Sequence, residues 1–404
     1  MSGVIRQPRV VVTGCGTLNA LGRDVRSSWD RLVEGHCGIR PLEARFGRGQ
    51  SPIAAEVSDP PPSKDIPAFA SRTDRLASAA AEEAAVQARL SDLGVRDRVA
   101  VVVGTTTGGI RETEEDFVSR ANGRPGRRSA LVVFEKAGTA DILANRFDLR
   151  GPRLTLHSAC ASGASAILIG ADLIRSGQAD VALAGGVDTL ARMIVSGFHS
   201  LRVVSREPCR PFDRDRCGLS LGEGAGMLVL ERESGAERRG VGVLAVLLGG
   251  AQSSDAHHLT APAPDGAGAA RAMRAALARS NVPPEAVDHV NAHGTGTLLN
   301  DAAEAAAIAS VLEGRTACCP VTSVKGSIGH TLGAAGAIEA IVAVETLRTG
   351  IIPPTVGFRE PDPAFGLEIV RDRSRREDVR VVLSNSFGFG GSNAVLCLGR
   401  RDPW

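Results

Sequence analysis

Tyrosine is missing from the 404 residues of this chain and aromatic side chains amount to 3 %. Of its 47 basic residues only Lys64, Lys136 and Lys325 are lysines. That skew, with abundant alanine and glycine, reads as a genomic bias, and it singles out Lys325 as a position where arginine was not accepted. No run approaches the roughly 20 apolar residues of a membrane span. The polar start Met1–Arg9 leads into an apolar run too short for a secretion signal. Both features predict a cytoplasmic protein. A net charge of +2 gives nucleic acid or an anionic membrane nothing to hold. The eight cysteines form no CxxC pair; Cys318 and Cys319 are adjacent, and seven residues separate Cys209 from Cys217. Neither spacing suits zinc, so no metal is expected, and most of the thiols read as small buried side chains in a reducing cytosol. A Walker A loop is absent. Gly14-Cys-Gly16 opens like a dinucleotide fingerprint, but Gly22 comes too late and no convincing acid follows about 20 residues on.

The chain is long enough for two or more cores, since single cores seldom exceed about 250–300 residues. Apolar runs rich in β-branched residues alternate with alanine-rich helical stretches, the pattern of an α/β protein. Strands are predicted at Val10–Thr13, Val99–Val103, Arg153–Leu156, Val181–Ala184 and Met227–Glu231, then Gly242–Leu248, His289–Ala292, Val321–Ser323 and Val381–Ser384. Helices are predicted at Ser71–Leu90, Cys160–Ser176, Gly266–Ser280, Asp301–Val311 and Gly333–Thr349. Leu219–Leu230 and Leu383–Leu398 share one plan, an apolar segment, a glycine-rich turn and a second apolar strand. This echo suggests two related halves, residues 1–250 and 251–404.

The most telling stretch is Leu154-Thr-Leu-His-Ser-Ala-Cys160, a short strand running into a lone cysteine at the head of a helix of very small residues. Unpaired N–H groups and the helix dipole at such a place favour a thiolate nucleophile. Four further segments supply partners. His293 sits in Asn-Ala-His-Gly-Thr-Gly-Thr297 after a predicted strand, and His330 ends Lys325-Gly-Ser-Ile-Gly-His330 before a helix. Glu304 and Glu339 lie on the helices that follow each histidine. Phe387-Gly-Phe389-Gly-Gly391 is a glycine turn with N–H groups free to face a ligand. The other six histidines read as ordinary hydrogen-bonded residues.

In order and spacing, Cys160, His293-Gly-Thr-Gly-Thr, Lys325-Gly-Ser-Ile-Gly-His330 and the Gly-Phe389-Gly-Gly turn resemble the elongating β-ketoacyl-acyl-carrier-protein synthases of fatty-acid and polyketide assembly. Pro211-Phe-Asp-Arg-Asp-Arg and Gly222-Glu-Gly-Ala-Gly226 belong to the same likeness, which runs from about Val10 to Leu398. The resemblance implies a thiolase-like fold, two similar halves in a five-layered α-β-α-β-α sandwich, normally dimeric. It implies that Cys160 takes an acyl group from the phosphopantetheine of an acyl carrier protein and condenses it with malonyl-carrier after loss of CO2. It casts His293 and His330 as stabilisers of the enolate, donating from Nε2 with their tautomers fixed by neighbours. The N–H groups of Cys160 and Phe389 become the oxyanion hole, and the Phe389 ring a gate. Lys325 becomes an electrostatic element held by Glu339 and Glu304, and Thr295 and Thr297 contacts of the pantetheine arm. Neither a metal nor a redox cofactor is implied.

Some positions depart from the family. Phe134-Glu-Lys136 brings charge near the acyl pocket and dimer seam, Thr107 stands where a bulkier aliphatic often limits pocket depth, and Phe198 matches a pocket-lining phenylalanine. Ser205–Cys209 is short, Cys217 and Leu219 replace a frequent Asp and Phe, and His157 is unusual so near the nucleophile. These departures point to a specialised biosynthetic pathway rather than the housekeeping fatty-acid one. Arg202 and Arg72 are the expected docking residues for an acidic carrier. A non-catalytic chain-length-factor homologue would lack Cys160, though such a protein remains an expected heterodimer partner beside a homodimer. A thiolase would use a second cysteine in place of the two histidines, and a ketosynthase-fold acyltransferase would condense nothing.

Overall fold

A computed structural model describes residues 8–42, 53–57, 65–135 and 138–403. Lys64 and Lys136 lie outside the described residues. Strand β1 (Val10–Leu18) is buried at every position, which is what a strand covered on both faces requires. Four more strands complete its half of the sheet: β2 (Val99–Gly104), β3 (Arg153–Leu156), β4 (Val181–Asp188) and β5 (Gly224–Arg232). The second half holds β6 (Ala245–Ser254), β7 (His289–Asn291), β8 (Pro320–Thr322), β9 (Val381–Gly388) and β10 (Ser392–Gly399).

Strand order is β3-β2-β4-β5-β1 in the first half and β6-β10-β9-β7-β8 in the second, closed by the short strand Glu368–Ile369. Read outward from the centre, the two halves have one topology. In each, the second strand in sequence pairs in parallel with the third and the fourth, and the fifth pairs antiparallel with the fourth and the first. Within this sheet the described strands of the two halves join where Val10–Val12 pairs antiparallel with Ala245–Leu247. Residue 250 falls inside β6.

Six helices build the remaining layers: α1 (Arg72–Gln87), α2 (Gly138–Arg146), α3 (Ser162–Arg175), α4 (Ala267–Ser280), α5 (Leu298–Leu312) and α6 (Ala335–Thr349). The first pair covers the outer face of the first half, and α4 with α5 covers that of the second. Between the halves lie α3 and α6, touching strands of both. This is the expected five-layered arrangement, and its apolar clusters follow the layers: one around α3 and α6, one under α1 and α2, one under α4 and α5. Small residues allow the central pair to approach closely. A Cβ on Gly163 of α3 would stand 2.8 Å from Gly333 O and 2.9 Å from Ala337 N. Among the described residues no helix is long and apolar enough to cross a membrane.

Candidate active site

The equivalent β–α junctions of the two halves converge where α3 and α6 begin. After β3 the chain turns through Ala159, held at φ 49°, a left-handed conformation costly for alanine. Ser162 Oγ pins this elbow by donating to Ala159 O at 2.6 Å and accepting from Ser158 N at 2.9 Å. Cys160 is thereby presented just before the N-terminus of α3, almost wholly buried. The sulfur departs from expectation: burial pushes its thiol up to about 11, against the downward pull of the Lys325 charge and of the Phe389 N–H. Helix donors that would favour a thiolate are already used, since Ala161 N and Ser162 N donate to Ser158 O and Ala159 O. Cys160 therefore rests as a thiol.

Against the elbow presses the β9–β10 hairpin, whose tip is Phe389-Gly390-Gly391. A Cβ on Gly388 would lie 3.0 Å from Cys160 N and 2.9 Å from Ser158 O, so only glycine lets the hairpin this close. The Phe389 ring stacks on Phe198 with centroids 5.6 Å apart.

His293 follows β7 in a loop held from behind by two acids of α5. Glu304 accepts from His293 N at 2.8 Å and Gly294 N at 2.7 Å, and Asp301 accepts from Thr295 N at 3.0 Å. Glu304 thus anchors the histidine's backbone and Asn385; the expected contact with Lys325 is not made. Burial pushes Glu304 up to about 7. Lys325 opens the one-turn helix Lys325–Ile328 behind β8 and is buried with Glu339, its ion-pair partner on α6. Its Nζ also donates to His293 O at 2.5 Å and to His293 Nδ1 at 3.3 Å. An ammonium only donates, so Nδ1 is the acceptor and the proton sits on Nε2. His330 reaches the same state by another route, its Nδ1 accepting from Leu332 N at 3.3 Å. The two rings stand edge to face, centroids 5.2 Å apart. Burial, and then the Lys325 charge, holds both imidazoles well below the ordinary histidine range, His330 adding to the effect on His293. Both are neutral donors.

Cys160, His293, His330 and Phe389 line one cavity of about 250 Å³, together with Phe198, Thr295, Thr297 and Arg202. The Thr295 and Thr297 hydroxyls lie 2.9 Å apart. Three predicted residues are placed elsewhere. Thr107 is buried away from this cavity with its hydroxyl donated to Asp188, because the turn after β2 wraps that carboxylate. Phe134 is 51 % exposed on the surface, just past the short helix Arg128–Val132. The Arg72 guanidinium is engaged by buried Glu223 and Val57 O, since a buried carboxylate demands a cation. The sequence reading missed Phe387, whose ring lies 5.9 Å from that of His293, although it belongs to the same glycine motif as Phe389. It also treated Cys217 as a departure only, whereas its thiol lines the cavity. Among the described residues no group of His, Cys, Asp and Glu is placed to hold a metal ion.

Two family models cover most of the chain: the N-terminal domain of beta-ketoacyl synthases over residues 7–236 and the C-terminal domain over residues 244–359. Nodulation protein E of Rhizobium sp. (strain N33) is 40 % identical over 399 residues, spanning 96 % of this chain and 98 % of its own. The 3-oxoacyl-[acyl-carrier-protein] synthase 2 of Synechocystis sp. is 35 % identical over 413 residues, 97 % and 98 % of the two chains. Among solved structures, the ishigamide ketosynthase/chain length factor superposes with a TM-score of 0.93 at 36 % identity, covering 98 % of this chain and 100 % of that one.

Proposed function

The chain belongs to the β-ketoacyl synthase family, and from that premise we propose how its residues form a carbon–carbon bond between an acyl group and a malonyl unit carried on acyl carrier protein. The Cys160 thiol attacks the acyl thioester, its proton leaves with the pantetheine thiol, and the acyl group stays on sulfur. Charge on the tetrahedral oxygen is met by the N–H groups of Cys160 and Phe389; the latter already donates toward the sulfur. Malonyl thioester then enters along Thr295 and Thr297. Its C–CO2 bond breaks, the electron pair moves onto the thioester oxygen, and the Nε2–H groups of His293 and His330 hold that oxygen. The enolate carbon attacks the acyl-cysteine carbonyl, the C–S bond breaks, and the departing Cys160 thiolate takes a proton from solvent, so one proton is consumed per turnover. As written the steps need neither metal nor redox cofactor, because CO2 loss both makes the carbanion and drives the reaction.

One observation carries this reading: two imidazoles, each with Nδ1 occupied by a donor, both face the cavity that holds a buried cysteine. Acyl transfer alone needs no such pair of neutral donors. Intact-protein mass spectrometry with acyl-carriers followed by malonyl-carrier tests it. His293→Ala and His330→Ala should still load acyl groups while condensation falls by about 10²-fold or more; condensation at the wild-type rate in either would end the proposal.

The pathway we favour is a specialised one. The relative named for nodulation is more similar over its length than the fatty-acid synthase, and the matching structure is named for a ketosynthase with a chain length factor. The carrier docks at the cavity mouth, where Arg202 is exposed beside Leu298 and Leu299. The protein acts as a dimer, with itself or with a chain-length-factor-like subunit. All eight thiols are free, which suits the reducing cytoplasm.

A further inference from the structure

Asp188 ends β4 without solvent exposure, and none of the steps above uses its carboxylate. Six neutral donor groups converge on it: the hydroxyls of Thr105, Thr106 and Thr107, and the N–H groups of Thr106, Thr107 and Gly333. Five belong to one turn of the first half. The sixth, Gly333 N at 2.6 Å, belongs to the second half, three residues after His330. Between them Leu332 is held at φ 54°, a left-handed conformation that a leucine keeps only when its surroundings impose it. The N–H of this leucine is the donor to His330 Nδ1 at 3.3 Å.

We infer that Asp188 is a positioning residue for His330: by gripping Gly333 N it locks the left-handed turn at Leu332, aims the Leu332 N–H at Nδ1, and so confines the ring proton to Nε2. The grip has little slack, because a Cβ on Gly333 would stand 2.6 Å from the same Oδ2. An amide at position 188 would turn its NH2 toward backbone N–H groups, which unlike the threonine hydroxyls can only donate, and so free the turn.

This inference rests on the proposed role of His330 for its effect on rate, but not for its effect on the ring. The test is therefore double. In 15N-histidine-labelled protein, with His330 assigned from the signal missing in His330→Gln, wild type should show the Nε2–H tautomer alone. Asp188→Asn should show a mixture with the Nδ1–H form. Condensation should drop by about 10-fold or more while acyl loading of Cys160 stays within about twofold. An unchanged tautomer in folded Asp188→Asn overturns the inference. A shifted tautomer with wild-type condensation supports it and sinks the proposed role of His330 instead. Should Asp188→Asn not fold, Gly333→Ala breaks the same contact from the other side and is read the same way. If neither variant folds, Asp188 is a structural residue only and the inference falls.

Discussion

At the residue scale, chemistry is set by burial as much as by neighbours. Cys160 is nearly inaccessible and its thiol is pushed up to about 11, while Cys217 and Cys318 are exposed. A small alkylating reagent should therefore label Cys217 and Cys318 first, whereas an acyl thioester should label Cys160 alone and Cys160→Ala not at all. Peptide mapping after each treatment distinguishes them, and acylation of Cys217 in Cys160→Ala would contradict the assignment. The ordered motifs made Cys160, His293, Lys325, His330 and Phe389 legible in the sequence. What they could not convey was the protonation state, because desolvation depends on how tightly distant segments close over a side chain. Pairing by side-chain type also failed for Glu304, since a carboxylate can satisfy itself on backbone N–H groups as well as on a lysine. His289 shows the same physics away from the cavity. Its Nε2 lies 2.8 Å from Thr322 Oγ1, and burial lowers its imidazole to about 3. The folded state thus resists a proton that the unfolded chain accepts near 6.5, so this residue's contribution is complete above about pH 6.5 and is lost as pH falls toward 3. Chemical denaturation at pH 6.5, 5.5 and 4.5 should show the stability of His289→Asn falling less steeply than that of wild type, by about 1.4 kcal/mol per pH unit. Parallel slopes would rule out a neutral buried His289.

At the element scale, strand cores were legible wherever β-branched residues ran together, and their ends were not. β1 was expected to stop at Thr13, yet it continues through Gly14 and Gly16 to Leu18. The expected strand stops short of those glycines because the sequence cannot show the helix lying on them. A Cβ at either would stand within about 2 Å of the Ala84 or Ala80 carbonyl oxygen of α1. The helix Ile110–Ala121 went unpredicted because its only buried residue is Asp116, which leaves no apolar period to detect. The contact that matters most for chemistry joins α3 to α6, since these helices bring the two halves of the cavity together. Gly163→Ala should force their backbones apart at a cost of about 1–3 kcal/mol. It should also lower condensation more than acyl loading, since only condensation needs groups from both helices' junctions. Thermal unfolding and the two half-reactions measure this, and an unchanged melting temperature with unchanged condensation would show that the helices have room to spare.

At the scale of the whole molecule, the repeat is closed at one end and open at the other. The outermost strand of the second half, β8, pairs with Glu368–Ile369. Its counterpart β3 pairs with β2 alone among the described residues, and Leu154 on it is 37 % exposed. An open edge of this kind presents unpaired N–H and C=O groups in a row, and natural proteins either blunt it with charge or cover it with another chain. The only charge on β3 is Arg153, at its first residue. The proposed dimer is therefore expected to form edge to edge at β3, extending the sheet from one subunit into the next. A lysine placed mid-strand would oppose this by burying an ammonium at the seam, or by facing its own copy across a two-fold axis. Leu154→Lys should run in sedimentation near the 41.9 kDa of one chain, whereas wild type should run near twice that mass. If wild type alone is monomeric, co-expression with a chain-length-factor-like subunit is the deciding arm, and Leu154→Lys should lose that partner as well. A variant that keeps its partner in both arms would move the interface away from β3.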